Sequence, residues 1–145
     1  SAAISACELA FQTSHANRLL AAAISGALFP ALWRRNRLDL YELSAPVART
    51  AVRLALDDMV RRPDDRRFHN VGKRGDFVLV IGRGKQGDEA EATLRRTILA
   101  MFDDEFGGRL DCHKDAKNPG LLIVSAPSLR RWIQRSAEEL VAKEA

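Results

Sequence analysis

Phe77-Val78-Leu79-Val80-Ile81-Gly82-Arg83-Gly84-Lys85-Gln86-Gly87-Asp88 joins an unbroken apolar run to a glycine-rich basic turn and then to an acidic residue. A run of this kind reads as a strand covered on both faces. Asp88 suits a helix N-cap, because its carboxylate can accept from a first-turn N–H that has no intrahelical acceptor. The helix it opens carries Leu94, Ile98, Met101 and Phe102 and stops at Gly107-Gly108.

The same alternation extends outward. Upstream, Leu38-Asp39-Leu40-Tyr41 alternates apolar and polar residues as a short strand does. Ser44 follows as an N-cap candidate, and Pro46 falls in the first turn, where its missing N–H matters little. Val47, Ala48, Ala51, Val52, Ala55, Leu56 and Met59 recur at three and four, which predicts an amphipathic helix from Val47 to Val60. Downstream, Arg109 to Lys114 and Leu121 to Val124 read as strands separated by the turn Asn118-Pro119-Gly120. A last helix begins at Pro127 or Ser128 and runs through Leu129, Trp132, Ile133 and Leu140. The order β-α-β-α-β-β-α requires crossovers, so the fold is α/β with a partly parallel sheet and helices packed on it.

Ahead of this, Ser1 to Phe29 is rich in Ala and Leu and predicts an α-helical hairpin turning near Gln12 to Ser14. Phe29-Pro30 ends it, because the residue before proline avoids the helical region. Trp33, Arg34, Arg35 and Arg37 read as a basic connector. The chain therefore divides into residues 1–36, a helical segment with connector, and residues 37–145, the α/β domain.

The 145 residues suit one such domain, and 46% hydrophobic with 29% charged residues excludes a disordered or fibrous chain. The net charge of +4 is compatible with a nucleic-acid partner. Cys7 and Cys112 make no disulfide framework and no zinc spacing, which points to a reducing compartment. The apolar stretch Leu19 to Leu32 is broken by Ser25, Gly26 and Pro30, so no membrane span is expected. The opening residues show no targeting segment.

The glycine turn brings bare backbone N–H groups and a helix N-terminus together, a geometry that suits phosphate, with Arg83 and Lys85 as cationic flanks. Gly82, Gly84 and Gly87 also satisfy GxGxxG, so a dinucleotide site with Asp111 as its acidic partner is an alternative, and a purely structural turn is another. Asp39 and Tyr41 share one strand face. Tyr41 can stack on a base, and Asp39 can hold water, a metal or a neighbouring N–H of the following turn. The loop Arg61–Asp76, which includes Lys73 and Arg74, is long enough to be functional or solvated. Trp33 with its arginines either meets RNA or packs its indole on the core. Cys112-His113 points to opposite strand faces and makes no metal pair, and Arg130, Arg131 and Arg135 read as a solvated face.

Leu38-Asp39-Leu40-Tyr41-Glu42-Leu43-Ser44, the capped helix after it, Ile81-Gly82-Arg83-Gly84-Lys85 and Asn118-Pro119-Gly120 occur in that order. The ordered set resembles the small MutS-related (Smr) domain, whose marks are an LDxHG-type motif, a TGxG-type loop and a late NPG turn. The resemblance covers about Arg37 to Trp132. Ala2-Ala3-Ile4-Ser5-Ala6-Cys7-Glu8 is similar to the first helix of a pentatricopeptide repeat. Such arrays end in an Smr domain in organellar proteins of plants and algae. The resemblance implies a two-layer α/β sandwich with a four-stranded mixed sheet, nucleic-acid binding, and a plastid or mitochondrial location.

The departures from the family pattern bear on activity. Asp39 is kept, but Tyr41 stands at the histidine position, Glu42 at the glycine and Ile81 at the threonine. A phenol with pKa near 10 is no proton acceptor at neutral pH. The expectation is a non-catalytic RNA binder. Tyr41, Gly82, Arg83, Gly84, Lys85, Lys73 and Arg74 would contact RNA or phosphate, with no cofactor, metal or small-molecule substrate. The alternatives are a structural subunit of a large organellar assembly and a nuclease using Asp39 with magnesium.

Overall fold

The computed structural model describes residues 33–41, 43–68, 71, 75–84 and 88–144. The helical hairpin expected over residues 1–29, and Lys73, Arg74 and Lys85, lie outside the described residues. The elements are β1 (Trp33–Arg34), β2 (Arg37–Asp39), α1 (Ala45–Arg61), a 3-10 turn (Arg66–Phe68), β3 (Phe77–Val80), α2 (Glu89–Phe106), β4 (Cys112–Lys114), β5 (Leu121–Val124) and α3 (Ala126–Glu144).

Among the described residues the sheet has five strands in the order β1-β2-β3-β5-β4. β2 and β3 pair in parallel, and β5 runs antiparallel to both β3 and β4. The crossovers β2–α1–β3 and β3–α2–β4 therefore step the same way along the sheet. Right-handed connections then place both helices on one face, which makes the α/β fold a two-layer sandwich. α1 packs on α2 and on α3.

The strand count corrects the expected four. Trp33 and Arg34 read as connector because two residues show no periodicity. Here Trp33 pairs with Leu38 and Arg34 with Arg37, antiparallel, so Trp33 already belongs to the sheet. The indole is buried, stacked on Phe77 at 5.5 Å and edge-on to Phe68 at 5.4 Å. Of its two expected roles the core contact holds, and the ring presents no surface for a base to stack on.

The inward face carries Leu38, Leu40, Phe77, Leu79, Ile81, Leu122 and Val124, which meet Ala48, Val52, Leu56, Ile98 and Phe102 of the helices. Full burial of each Leu, Ile, Val or Phe contributes about 1.5–3 kcal/mol. Small residues Ala48, Ala51 and Ala55, all 0% exposed, let α1 lie close to the sheet. Arg53 joins α1 to α2 through a two-pronged pair with Glu105, Nε–Oε1 at 2.8 Å and Nη2–Oε2 at 2.9 Å.

The ends of α2 follow the sequence signals, whereas Ser44 stands at the N-cap position of α1 with no side-chain cap bond and α3 starts at Ala126, ahead of the expected Pro127 or Ser128. Asp88 accepts from the Glu91 N–H at 3.2 Å, and Gly107 closes α2 in a left-handed conformation. α3 begins at Ala126, whose N–H donates to Asp76 at 2.7 Å from fifty residues away, a carboxylate placed where the helix dipole favours it. Within the long charged loop, Phe68 and Val71 are buried.

Candidate nucleic-acid interface

β2, β3 and β4 all run parallel to one another, so Tyr41, the glycine loop and the turn after β4 meet at one edge of the sheet. Ligands of open α/β sheets bind outside this carboxyl edge. The loop is shaped by its contacts. The Gly120 carbonyl accepts from the N–H groups of Ile81 at 2.9 Å and Gly82 at 3.3 Å. A Cβ at Gly120 would lie 2.5 Å from Gly82 O and 2.7 Å from Gly84 N, so the NPG turn and the GRG loop pack backbone to backbone. Asn118 shapes the turn by accepting the Gly120 N–H at 2.9 Å.

The other side of the loop meets an acid. Glu91 is 5% exposed, and its Oε1 accepts from the Gly84 N–H at 3.2 Å and from Arg95 Nη2 at 3.3 Å. Arg95 Nε donates onward to Pro119 O at 3.1 Å. Gly84 holds φ 77° to turn its N–H toward this carboxylate. The N–H groups of Gly82 and Gly84 are thus engaged inside the molecule.

Arg83 is exposed, and its guanidinium carbon lies 5.4 Å from the centre of the Tyr41 ring. Tyr41 is 37% exposed. An exposed cation–π contact of this kind contributes about 0.5–1 kcal/mol, weak enough for a planar ligand to displace or sandwich. The structure therefore brings two of the expected residues, Tyr41 and Arg83, into one exposed pair. Gly82 and Gly84 stand beneath it as scaffold.

Asp39 accepts the Tyr41 N–H at 2.9 Å through Oδ1, the turn-capping role, and this bond fixes where the ring leaves the strand. Among the described residues no group of three or more His, Cys, Asp or Glu side chains is placed to hold a metal ion, at Asp39 or elsewhere. The dinucleotide alternative fails on topology. Asp111 precedes β4, which runs parallel to β3, so it stands at the opposite edge of the sheet from Gly82. There His113 Nδ1 lies 3.3 Å from Asp111 Oδ1, with both side chains exposed. Cys112 is half-buried, and burial with the nearby charges of Asp111 and Asp103 pushes its thiol up to about 12.

Glu91 and Arg95 were not anticipated. Their signal in the sequence was the pattern Asp88-Glu89-Ala90-Glu91 followed four residues later by Arg95. That pattern marks a helix start, where the third-position acid usually returns to the cap residue. No family model and no curated protein matches the chain.

Proposed function

We propose that this chain binds RNA and leaves it intact, as an Smr-type domain of an organellar pentatricopeptide protein in a plastid or mitochondrion. The observation that supports it is the Arg83 guanidinium over the exposed Tyr41 ring at the carboxyl edge of the parallel strands. Single-stranded RNA is recognised by bases stacking on aromatic rings or arginine planes, with basic groups on the phosphates. Tyr41 supplies the ring and Arg83 the charge. Cleavage needs a group that takes a proton near neutral pH, and Tyr41 stands where the family carries its histidine.

The test compares Tyr41→Ala and Tyr41→Phe for affinity to a labelled single-stranded RNA. Tyr41→Ala should weaken binding about fivefold to a hundredfold, the range of base stacking on one ring (~1–3 kcal/mol), while Tyr41→Phe retains it. Equal affinities for all three proteins would overturn the stacking role.

A second reading, a subunit of a large organellar assembly, draws on a different feature. A cleft of about 600 Å³ lies between α1, α2 and α3, with Leu54, Val60, Phe106, Trp132 and Leu140 lining it between charged side chains. On this reading Leu140→Glu would abolish co-sedimentation with an organellar particle and leave RNA affinity unchanged.

A further inference from the structure

We infer that the β1–β2 hairpin is a second RNA contact, in which Arg34, Arg35 and Arg37 hold backbone phosphates beside the nucleotide on Tyr41. The inference rests on the RNA reading above and extends it to a separate part of the surface.

Arg34 and Arg37 stand directly opposite each other in antiparallel register. Directly opposed residues leave the same face of a strand pair, and like charges in that position repel. The adjoining pair, Trp33 with Leu38, turns into the core, which sends both arginines outward. Arg35 at the hairpin tip adopts φ 58°, a left-handed conformation rare for a residue with a Cβ.

All three side chains are exposed, and among the described residues none of the three takes part in an ion pair. Arg53, Arg61 and Arg95 each face a carboxylate; what sets Arg34 and Arg37 apart from other exposed arginines such as Arg62 and Arg96 is their direct opposition across the strand pair. Two directly opposed arginines with a third at the hairpin tip concentrate positive charge whose repulsion an external anion relieves. Guanidinium forks match phosphate oxygens two at a time.

The placement selects a flexible single strand. Arg37 precedes Tyr41 by four residues on the same strand and its extension, roughly 13 Å at about 3.3 Å per residue. Asp39 shares the Arg37 face and lies between, so it separates two positive lobes among the described residues, the hairpin and Arg83. A single strand can bend past Asp39 with phosphates on the hairpin and a base on Tyr41, as basic grooves with aromatic platforms do.

The test titrates the full chain with a labelled oligouridylate over a range of salt. It uses wild type, R34Q/R35Q/R37Q, R34K/R35K/R37K and R83Q. Each lost phosphate contact removes about 0.7 from the slope of log affinity against log salt. The triple Gln protein should therefore lose about 2 from that slope, and the triple Lys protein should recover it. Removal of opposed charges should leave the melting temperature at or above wild type; should the triple variant fail to fold, R34Q alone reads the same effect at about 0.7. An unchanged slope in the Gln variant, with binding weakened by R83Q, would overturn the hairpin contact and leave the RNA reading standing. No binding by wild type at low salt would remove both.

Discussion

The backbone N–H of Gly84 donates to Glu91 Oε1 across 3.2 Å, so a buried acid of α2 holds the glycine loop from within. The same oxygen also faces Arg95, which reaches on to the NPG turn at Pro119. The glycine loop and the first turns of α2 meet at one carboxylate, Arg95 ties them to the NPG turn 24 residues on, and the loop owes its shape to that acid as well as to its glycines.

Removing the carboxylate should loosen the loop. Glu91→Ala leaves the Gly84 N–H and Arg95 without their shared acceptor, and hydrogen bonds to a charged group contribute about 1.5–3 kcal/mol. A loss of about that size is expected in urea unfolding. Glu91→Gln, which keeps an acceptor oxygen, should lose less. An unchanged midpoint for Glu91→Ala would show that the acid bears no structural role.

Two glycines of the site differ in what a methyl group would strike. At Gly120 the obstacles are backbone atoms, Gly82 O at 2.5 Å and Gly84 N at 2.7 Å. At Gly82 the obstacle is the Glu91 side chain, which can rotate away, though only by leaving its buried partners. Gly120→Ala should cost about 1–3 kcal/mol or more from overpacking and displace the loop. In a Glu91→Ala background, Gly82→Ala should become milder while Gly120→Ala keeps its full cost. Equal behaviour of the two glycines in that background would contradict this geometry.

Much of this architecture was legible beforehand because burial sets a period. Leu56 and Met59 repeat on α1 as a helix face must, and Phe77 to Val80 form a strand buried on both sides. Two-residue β1 has no period to read, and its membership in the sheet comes only from pairing with β2. The site was legible in part. Tyr41 and Arg83 lie 42 residues apart, yet the strand ends on which they sit were identified, and parallel pairing brought them together. Glu91 was not legible as a buried residue, because a charged residue in the first turn of a helix normally faces water. The Gly84 N–H and Arg95, itself anchored to Pro119, make its burial tolerable. Asp39 showed the limit of a motif: its residue type fits metal chemistry, while its geometry is that of a turn cap.

Cys112 should make stability depend on alkaline pH. Its thiol is pushed up to about 12 by burial and by Asp111 and Asp103, from an ordinary value of 9.0. Between these values the unfolded chain releases the proton and the folded chain keeps it, so stability falls as pH rises above about 9. Below 9 both forms are protonated and the effect vanishes. Cys112→Ala should flatten the decline between pH 9 and 11 relative to wild type, measured by urea unfolding. Parallel pH curves for the two proteins would refute the shifted thiol. The folded protein should also alkylate slowly at pH 8 compared with the unfolded one.

Trp33 separates core from contact. Its ring lies between Phe68 and Phe77, so Trp33→Ala should cost about 3–5 kcal/mol, the range for deleting a large buried aromatic. Trp33→Phe, which keeps a ring in the cluster, should fold and bind RNA as wild type does. A loss of RNA affinity in a folded Trp33→Phe protein would place the indole at the interface after all.

The central claim is that the carboxyl edge of this sheet binds RNA through Arg83 and Tyr41 without cutting it. Its most direct test titrates labelled single-stranded RNA against wild type and Arg83→Glu at two salt concentrations, with samples kept in magnesium and run on a denaturing gel. The account predicts salt-sensitive binding that Arg83→Glu weakens at least tenfold, with the RNA recovered at full length. Binding indifferent to Arg83→Glu would contradict the site, and shortened RNA absent from a protein-free control would contradict the non-cleaving assignment.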